Sequence, residues 1–360
     1  MKALVCTEPG KFSVENVTLD PPKTGEIRVK MGATGVCRSD LSVINGVLPL
    51  PPPVVLGHEG AGTVAELGHG VNGLEVGDHV ILSFVPCCGS CDACLHHRPV
   101  FCSAGVPDGR MIDGTYRVHQ GEKDFGTMQF LGCMAEECVV PATAAVKIDK
   151  SVPFDKASLV GCGVMTGVGA AINTAQVTPG STCVVFGCGG VGLSVIQGCR
   201  ISGADRIIAV DVLPNKLEMA KQFGATDAID GSDGQAPGKI HELTGGGADY
   251  AFEAVGVPAL MEAAYASVRS GGTAVLVGVG SLTQSFSINA LMAPLSGKTI
   301  KGSMYGDANP HADFPRLLGL YQRGKLDLDA MVTRTYSIDD APQAFTDMEK
   351  GVNARGVIVF

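Results

Sequence analysis

Between residues 182 and 211 the chain reads as a unit that few architectures accommodate. An apolar run, TCVVF, leads into a glycine turn, Gly187-Cys188-Gly189-Gly190-Val191-Gly192; a helical stretch, LSVIQGCRISGA, follows, then a second apolar run, IIAVD, ending in Asp211. Two short apolar strands joined through a glycine turn and a helix describe a parallel pair buried on both faces. The glycines permit a tight turn and close backbone approach to a pyrophosphate at the helix N-terminus. The turn closes one residue early, as G-x-G-G-x-G, which places its glycines somewhat differently from G-x-G-x-x-G. Asp211 stands 24 residues after Gly187, where a carboxylate accepts from a ribose 2′-OH and repels a 2′-phosphate. NAD is therefore expected over NADP, with Lys216 as a second contact to that ribose.

The alternation continues through the helical PNKLEMAKQFG, the strand ATDAID, the strand ADYAFEAVG, a helix from Pro258 to Ser270, and the strands TAVLVGVG and TIKGSM. The fold class is α/β, with a doubly wound parallel sheet of the Rossmann kind at residues 164–304. The first 163 residues differ: short Val/Ile strands such as EIRVKMGATGV, GAGTVAEL and GDHVIL stand among many Gly and Pro, a barrel-like β domain. The last stretch, 305–360, ends in GVIVF, a strand expected to return to that first domain. The segment from Ser103 to Phe125 is the least regular. A net charge of −9 with no basic block argues against a nucleic-acid partner. No run of 18 uninterrupted apolar residues is present, and MKALVCTEPG has no apolar signal core, so no membrane partner and a cytoplasmic location are expected.

Thirteen cysteines in such a chain point to metal ligation, catalysis or burial more than to disulfides. Cys88, Cys91, Cys94 and Cys102 form C-x2-C-x2-C-x7-C, a loop able to wrap a tetrahedral zinc with all four positions filled, hence a structural one; an iron-sulfur cluster also suits four thiolates. Cys87 adjoins the first ligand, but the even spacing favours Cys88. A dispersed set, Cys37 in GVCRSD, His58 in LGHEGAG and Cys162 in LVGCGVMTG, offers two thiolates and an imidazole, the open three-ligand pattern of a catalytic zinc. Asp40 is placed to accept the second ring N–H of His58, and Glu59 to sit behind the metal.

GHEGAGTVAELGHGV (57–71), the four-Cys loop, LVGCGVMTGVGAA and VFGCGGVGLS together resemble the zinc-dependent medium-chain alcohol dehydrogenases, with the aryl or general alcohol and the thiol-linked formaldehyde branches most similar. The resemblance implies a GroES-like catalytic domain at 1–163 and 305–360 beside the Rossmann domain. It implies two zinc ions per subunit, catalytic at Cys37, His58 and Cys162 and structural at Cys88, Cys91, Cys94 and Cys102. Ser39 matches the hydroxyl that passes the substrate proton toward the cofactor ribose. Arg38 and Arg355 match cationic contacts to the pyrophosphate; Thr166, Val191, Val255 and Val277 match cofactor-packing positions alongside Gly187, Gly189, Gly190, Gly192, Asp211 and Lys216. Leu48, Phe84, Phe130, Leu131, Val279 and Met304 form the implied alcohol pocket.

Two departures from the family pattern matter. Ser42 stands where many members end the proton relay with a His. Leu48 replaces an acid, and Val106 replaces an Arg, of glutathione-dependent members. The implied reaction is reversible oxidation of primary aromatic, allylic or aliphatic alcohols to aldehydes, by proton loss through Ser39 and hydride transfer to NAD in a cleft between the domains. The alternative is oxidation of S-hydroxymethyl mycothiol or glutathione. Family members are homodimers or homotetramers.

Overall fold

The computed structural model describes residues 1–105 and 107–360, which form two units. Val106 lies outside the described residues. The first unit comprises Met1–Cys162, Asn309–Leu320 and Leu328–Phe360; the second comprises Gly163–Ala308 and Tyr321–Asp327.

The first unit is built on two sheets. One runs in the order Lys11–Asn16, Lys2–Glu8, Val54–Val55, Lys123–Thr127, Val118–Gln120, Thr18–Leu19. The other runs Ala145–Ile148, His79–Leu82, Gly60–Leu67, Glu26–Gly35, Arg355–Val359, Val332–Tyr336, with Glu137–Pro141 also paired to Glu26–Gly35. The period of two is plain in Glu26–Gly35, where Ile27, Val29 and Met31 are buried while Arg28 and Lys30 face outward. The inward residues join Val64, Val80, Leu82, Leu131 and Val140 in one core. The terminal strand Arg355–Val359 pairs antiparallel with Glu26–Gly35 and parallel with Val332–Tyr336, carrying Arg355 into this unit.

The second unit holds a six-stranded parallel sheet in the order Asp227–Asp230, Arg206–Asp211, Thr182–Phe186, Ala248–Glu253, Val268–Leu276, Thr299–Gly302. Counted along the chain, this is the 3-2-1-4-5-6 order of dinucleotide-binding sheets. Its central strands are buried on both faces, as their unbroken apolar runs require.

Several expectations are corrected. The helix begun at Pro258 ends at Ser267, and Val268 already opens the next strand. The segment 103–125 is not irregular to its end: Val118–Gln120 and Lys123–Thr127 form a hairpin across Gly121-Glu122, with Gly121 at φ +62°. Residues 305–308 and 321–327 go with the nucleotide unit. Asn173 Nδ2 donates to the Gly306 carbonyl (3.1 Å), Thr174 Oγ1 to Asp307 (2.8 Å), and Gln197 exchanges two hydrogen bonds with the Asp327 backbone. Finally, Phe154–Ala175, 22 residues long, is apolar enough to cross a membrane, yet 83% of its most apolar window is buried inside the protein, as in a core helix.

Candidate functional site

Cys37 is the residue that caps the helix Arg38–Ile44, its backbone still extended at φ −122° and ψ 151°. One turn later the same helix buries Asp40 completely. Asp40 Oδ1 accepts the Gly57 backbone N–H at 2.9 Å and lies 3.2 Å from His58 Nδ1. Gly57 makes this approach possible: its φ is +98°, and a Cβ there would lie 2.3 Å from the Met134 nitrogen. The imidazole, 2% exposed, packs edge-on to Phe84 with ring centroids 5.8 Å apart. Held by Asp40 through Nδ1, the ring leaves Nε2 buried without a hydrogen-bond partner. Cys162 comes from the π-helical segment Val160–Val164, an irregular turn of the kind that recurs at functional positions.

The Cys37, His58 and Cys162 donor atoms all lie within 4.8 Å of one another. The proton affinities of the three groups depend on one another. The hydrogen bond from Cys162 draws the Cys37 thiol well below its ordinary range, and Cys162, giving that bond from a buried position, is pushed well above it. Burial opposes a charge on His58, but Asp40 and Cys37 outweigh it and raise the imidazole pKa. Two thiols and an imidazole converging with an orphaned nitrogen fit zinc with one position left open.

Glu59, fully buried beside His58, turns its carboxylate to Arg355. Nη1 of Arg355 is 3.1 Å from Oε1, Nη2 pairs with Oε2, and Nη2 also reaches the Val36 carbonyl at 3.3 Å. Both terminal nitrogens of Arg355, expected as a pyrophosphate contact, have partners inside the first unit. Arg38 is exposed and Ser39 half-buried. Ser42 donates to the Arg38 carbonyl at 3.1 Å, so its hydroxyl is turned back onto its own helix.

Of the apolar pocket positions in this unit, Leu48 is half-buried and Phe84 lies against His58. Leu131 is 0% exposed within the core beside Ile27 and Val29, which corrects its place on the pocket wall. Phe130 is nearly as deep, its ring covering Gly105.

The four-Cys loop brings Cys88, Cys91, Cys94 and Cys102 within 4.8 Å of one another. Sulfurs about 2.3 Å from a common tetrahedral centre stand about 3.8 Å apart; Cys91 and Cys102 are 3.9 Å apart. Backbone N–H groups of Cys94 and Ser103 lower the Cys91 thiol to about 6, while burial pushes Cys94 up to about 12. Cys87 turns away, toward the Val85 carbonyl at 3.4 Å.

In the second unit the glycine turn follows Phe186, and Gly189 caps the helix Gly190–Ile201. Gly187 has φ +88°, and a Cβ on Gly192 would lie 1.8 Å from the Gly187 carbonyl oxygen, so the tight turn requires both glycines. Asp211 accepts the Cys188 N–H at 2.7 Å and the Leu213 N–H at 3.0 Å, fixing the carboxylate against the turn. Burial lowers the Lys216 pKa, opposed by Asp211. Thr166 and Val191 are half-buried, Val277 is buried, and Val255, Val279 and Met304 are exposed.

Two thiolate-rich donor sets and a strand-end nucleotide turn on one chain define a zinc-binding dehydrogenase. Family models described as an alcohol dehydrogenase GroES-like domain and a zinc-binding dehydrogenase match residues 23–150 and 190–323. The chain is 40% identical over 365 aligned residues to an NDMA-dependent alcohol dehydrogenase of Amycolatopsis methanolica, covering 99% of this chain and 98% of that one. The crystal structure of benzyl alcohol dehydrogenase from Acinetobacter calcoaceticus superposes with a TM-score of 0.95 at 34% identity, covering 100% of this chain and 99% of that one. An alcohol dehydrogenase from Escherichia coli CFT073 complexed with NADH has a TM-score of 0.84 at 25% identity, with 100% and 99% covered. The chain belongs to the zinc-dependent medium-chain alcohol dehydrogenases, and it is an oxidoreductase.

Proposed function

We propose that this protein is a zinc- and NAD-dependent dehydrogenase of primary alcohols, acting on aromatic, allylic or aliphatic substrates and carrying two zinc ions per subunit. The observation that carries this reading is the buried Cys37–His58–Cys162 cluster, with His58 Nε2 orphaned while Asp40 holds Nδ1. Zinc in an open site lowers the pKa of water from 15.7 to about 7, and the same effect on an alcohol amounts to roughly 12 kcal/mol of help in losing its proton.

The residues divide the remaining work. Cys37, His58 and Cys162 hold the metal, and Asp40 keeps the imidazole in its ligating orientation. Ser39 would take the hydroxyl proton from a bound alcohol and pass it on, and Ser42, bonded to the Arg38 carbonyl of its own helix, stands where many family members carry a relay His. Arg355 neutralises the buried Glu59. The turn Gly187–Gly192, with Asp211 and Lys216, binds the dinucleotide, Arg38 offers a cation to its pyrophosphate, and Thr166, Val191, Val255 and Val277 pack against it. Leu48, Phe84, Phe130, Val279 and Met304 supply the apolar surface for the alcohol. Cys88, Cys91, Cys94 and Cys102 hold the structural zinc.

The catalytic domain in this reading is the first unit and the nucleotide domain the second. Thirteen free cysteines suit a reducing cytoplasm. A homodimer or homotetramer is part of the proposal, supported by exposed Leu282, Leu291 and Leu295 and by the open edge strand Thr299–Gly302.

The test is NADH formation by zinc-replete protein across benzyl, allylic and aliphatic alcohols, with and without NDMA, and with formaldehyde in the presence or absence of mycothiol or glutathione. Turnover of alcohols with NAD and no thiol is expected. Turnover only of formaldehyde with a thiol would make the thiol adduct the substrate. Turnover only with NDMA would align the chain with its Amycolatopsis relative and remove free NAD as the acceptor. Asp211→Gly is expected to shift preference toward NADP; an unchanged NAD/NADP ratio would remove its assigned role.

A further inference from the structure

Glu253 closes the strand Ala248–Glu253 in the interior of the parallel sheet, in register with Phe186 on one side and Leu276 on the other. Its side chain is fully buried, and among the described residues no basic side chain pairs with it. Oε1 accepts the backbone N–H groups of Val255 (2.9 Å), Gly256 (2.7 Å) and, more weakly, Val257 (3.4 Å). The Glu253 carbonyl accepts from Val277 (2.8 Å) and Gly278 (3.0 Å), while Oε2 is buried without a hydrogen-bond partner.

The loops gathered here are crowded. A Cβ on Gly256 would lie 2.3 Å from the Val279 carbonyl oxygen; one on Gly278 would lie 2.1 Å from the Gly256 nitrogen and 2.7 Å from Glu253 Oε2. A Cβ on Gly187 would lie 2.3 Å from Val255 Cγ2, so the phosphate turn leans on the same assembly. Ala254 N–H also donates to the Phe186 carbonyl at 3.0 Å. Glu253 thus holds the loop 255–257 through its carboxylate and the loop 277–278 through its carbonyl, while Ala254 and Val255 bring the phosphate turn against them, all at the carboxyl ends of adjacent strands, the place where such sheets bind ligands. Burying an unpaired carboxylate is costly, and burial raises its pKa against the pull of the backbone N–H donors. A neutral acceptor would hold one turn at lower cost.

We propose that Glu253 is a positioning residue for the dinucleotide: its carboxylate fixes the loop bearing Val255 beside the loop bearing Val277, which its backbone carbonyl holds, so that one ligand can engage both. It acts through those loops and does not touch the cofactor. This rests on the reading of the second unit as the NAD site.

The test uses full-length, zinc-loaded protein with Glu253→Ala and Glu253→Gln. Dissociation constants for NADH and for AMP, which spans only half of the dinucleotide, are measured with KM for NAD and for alcohol. Glu253→Ala is expected to raise the NADH constant and the KM for NAD about tenfold, with AMP binding and alcohol KM at saturating NAD within about twofold. Glu253→Gln, which keeps an acceptor at Oε1, is expected to recover most of the loss, and it carries the test alone if the alanine variant does not fold, with a rise of about threefold in the NADH constant only. Equal weakening of AMP and NADH, or no change in either, would overturn the proposal. Failure of the unsubstituted protein to bind NADH would instead remove the NAD reading beneath it.

Discussion

The two metal-type donor sets of the first unit are held by different means. The four sulfurs at 88–102 sit on a loop whose α-helix, Asp92–Leu95, buries no residue, and Cys88 is exposed. What arranges them is local: the Cys91 and Cys88 backbone N–H groups each point to a neighbouring sulfur at 3.3 Å. Cys37, His58 and Cys162 come from a helix cap, a strand approach and a π-helical turn, with Asp40 and Glu59 fully buried around them. In the first case the ligand spacing makes the site and a metal would order the loop; in the second the packed fold makes the site before any metal arrives. Activity should therefore depend on the buried set and stability on the exposed one.

Each half of that comparison can be broken separately. Cys162→Ala is expected to lower kcat by about a thousandfold or more and to halve the zinc content, while NADH binding persists; retained turnover would dissolve the catalytic assignment. Asp40→Asn leaves all three ligands but loosens the ring of His58, for an expected loss of about 10- to 100-fold in activity or metal affinity, read from kcat and a competing chelator. Cys91→Ser should reverse the pattern, lowering Tm by on the order of 10 °C with kcat at low temperature within about twofold. A catalytic collapse in Cys91→Ser with unchanged Tm would invert the distinction.

The smallest effect lies away from both sets, at His119. Its Nδ1 is 2.8 Å from Asp124 and its Nε2 3.0 Å from Asp20. Burial disfavours its charge, but these two carboxylates raise its pKa above the ordinary value. The charged form is thus favoured on folding, so the contribution is full below the unfolded pKa of about 6.5 and disappears as pH rises through the higher folded value. His119→Gln should cost under about 1 kcal/mol near pH 5.5 and nothing at pH 9, by denaturant titration. A cost that grows with pH would contradict the sign.

How much of this could be read from the chain follows the same divide. The four-Cys loop and the glycine turn are local, and their spacing carries both the ligands and the shape. The doubly wound parallel class also follows from the alternation of strands and helices, while the strand order is supplied by the fold. Cys37, His58 and Cys162 have no periodicity that joins them; the family resemblance links them, and only the fold supplies the distances. The pairing of Arg355 with Glu59 crosses nearly the whole chain and leaves no local mark. Leu131 looked like pocket surface because apolar residues suit a pocket wall and a core equally. Glu253 stands inside the run ADYAFEAVG, where nothing local marks its burial or its hydrogen bonds to the following loop. The hairpin at Gly121-Glu122 escapes the sequence reading although its two-residue turn with Gly first is a local signal.

The bond between Arg355 and Glu59 also sets an order of events during synthesis. The three buried donors are complete at residue 162, but the cation that neutralises their acidic neighbour lies nearly two hundred residues further on. At about 5–20 residues per second the ribosome needs roughly 10–40 s to deliver it. Through that interval the nascent first unit has Glu59 without its counter-charge and the sheet without its strand Arg355–Val359. In the proposed reading, the centre is complete only once residue 355 has been made, and a chain stopped short of it would have every ligand but not the counter-charge of Glu59.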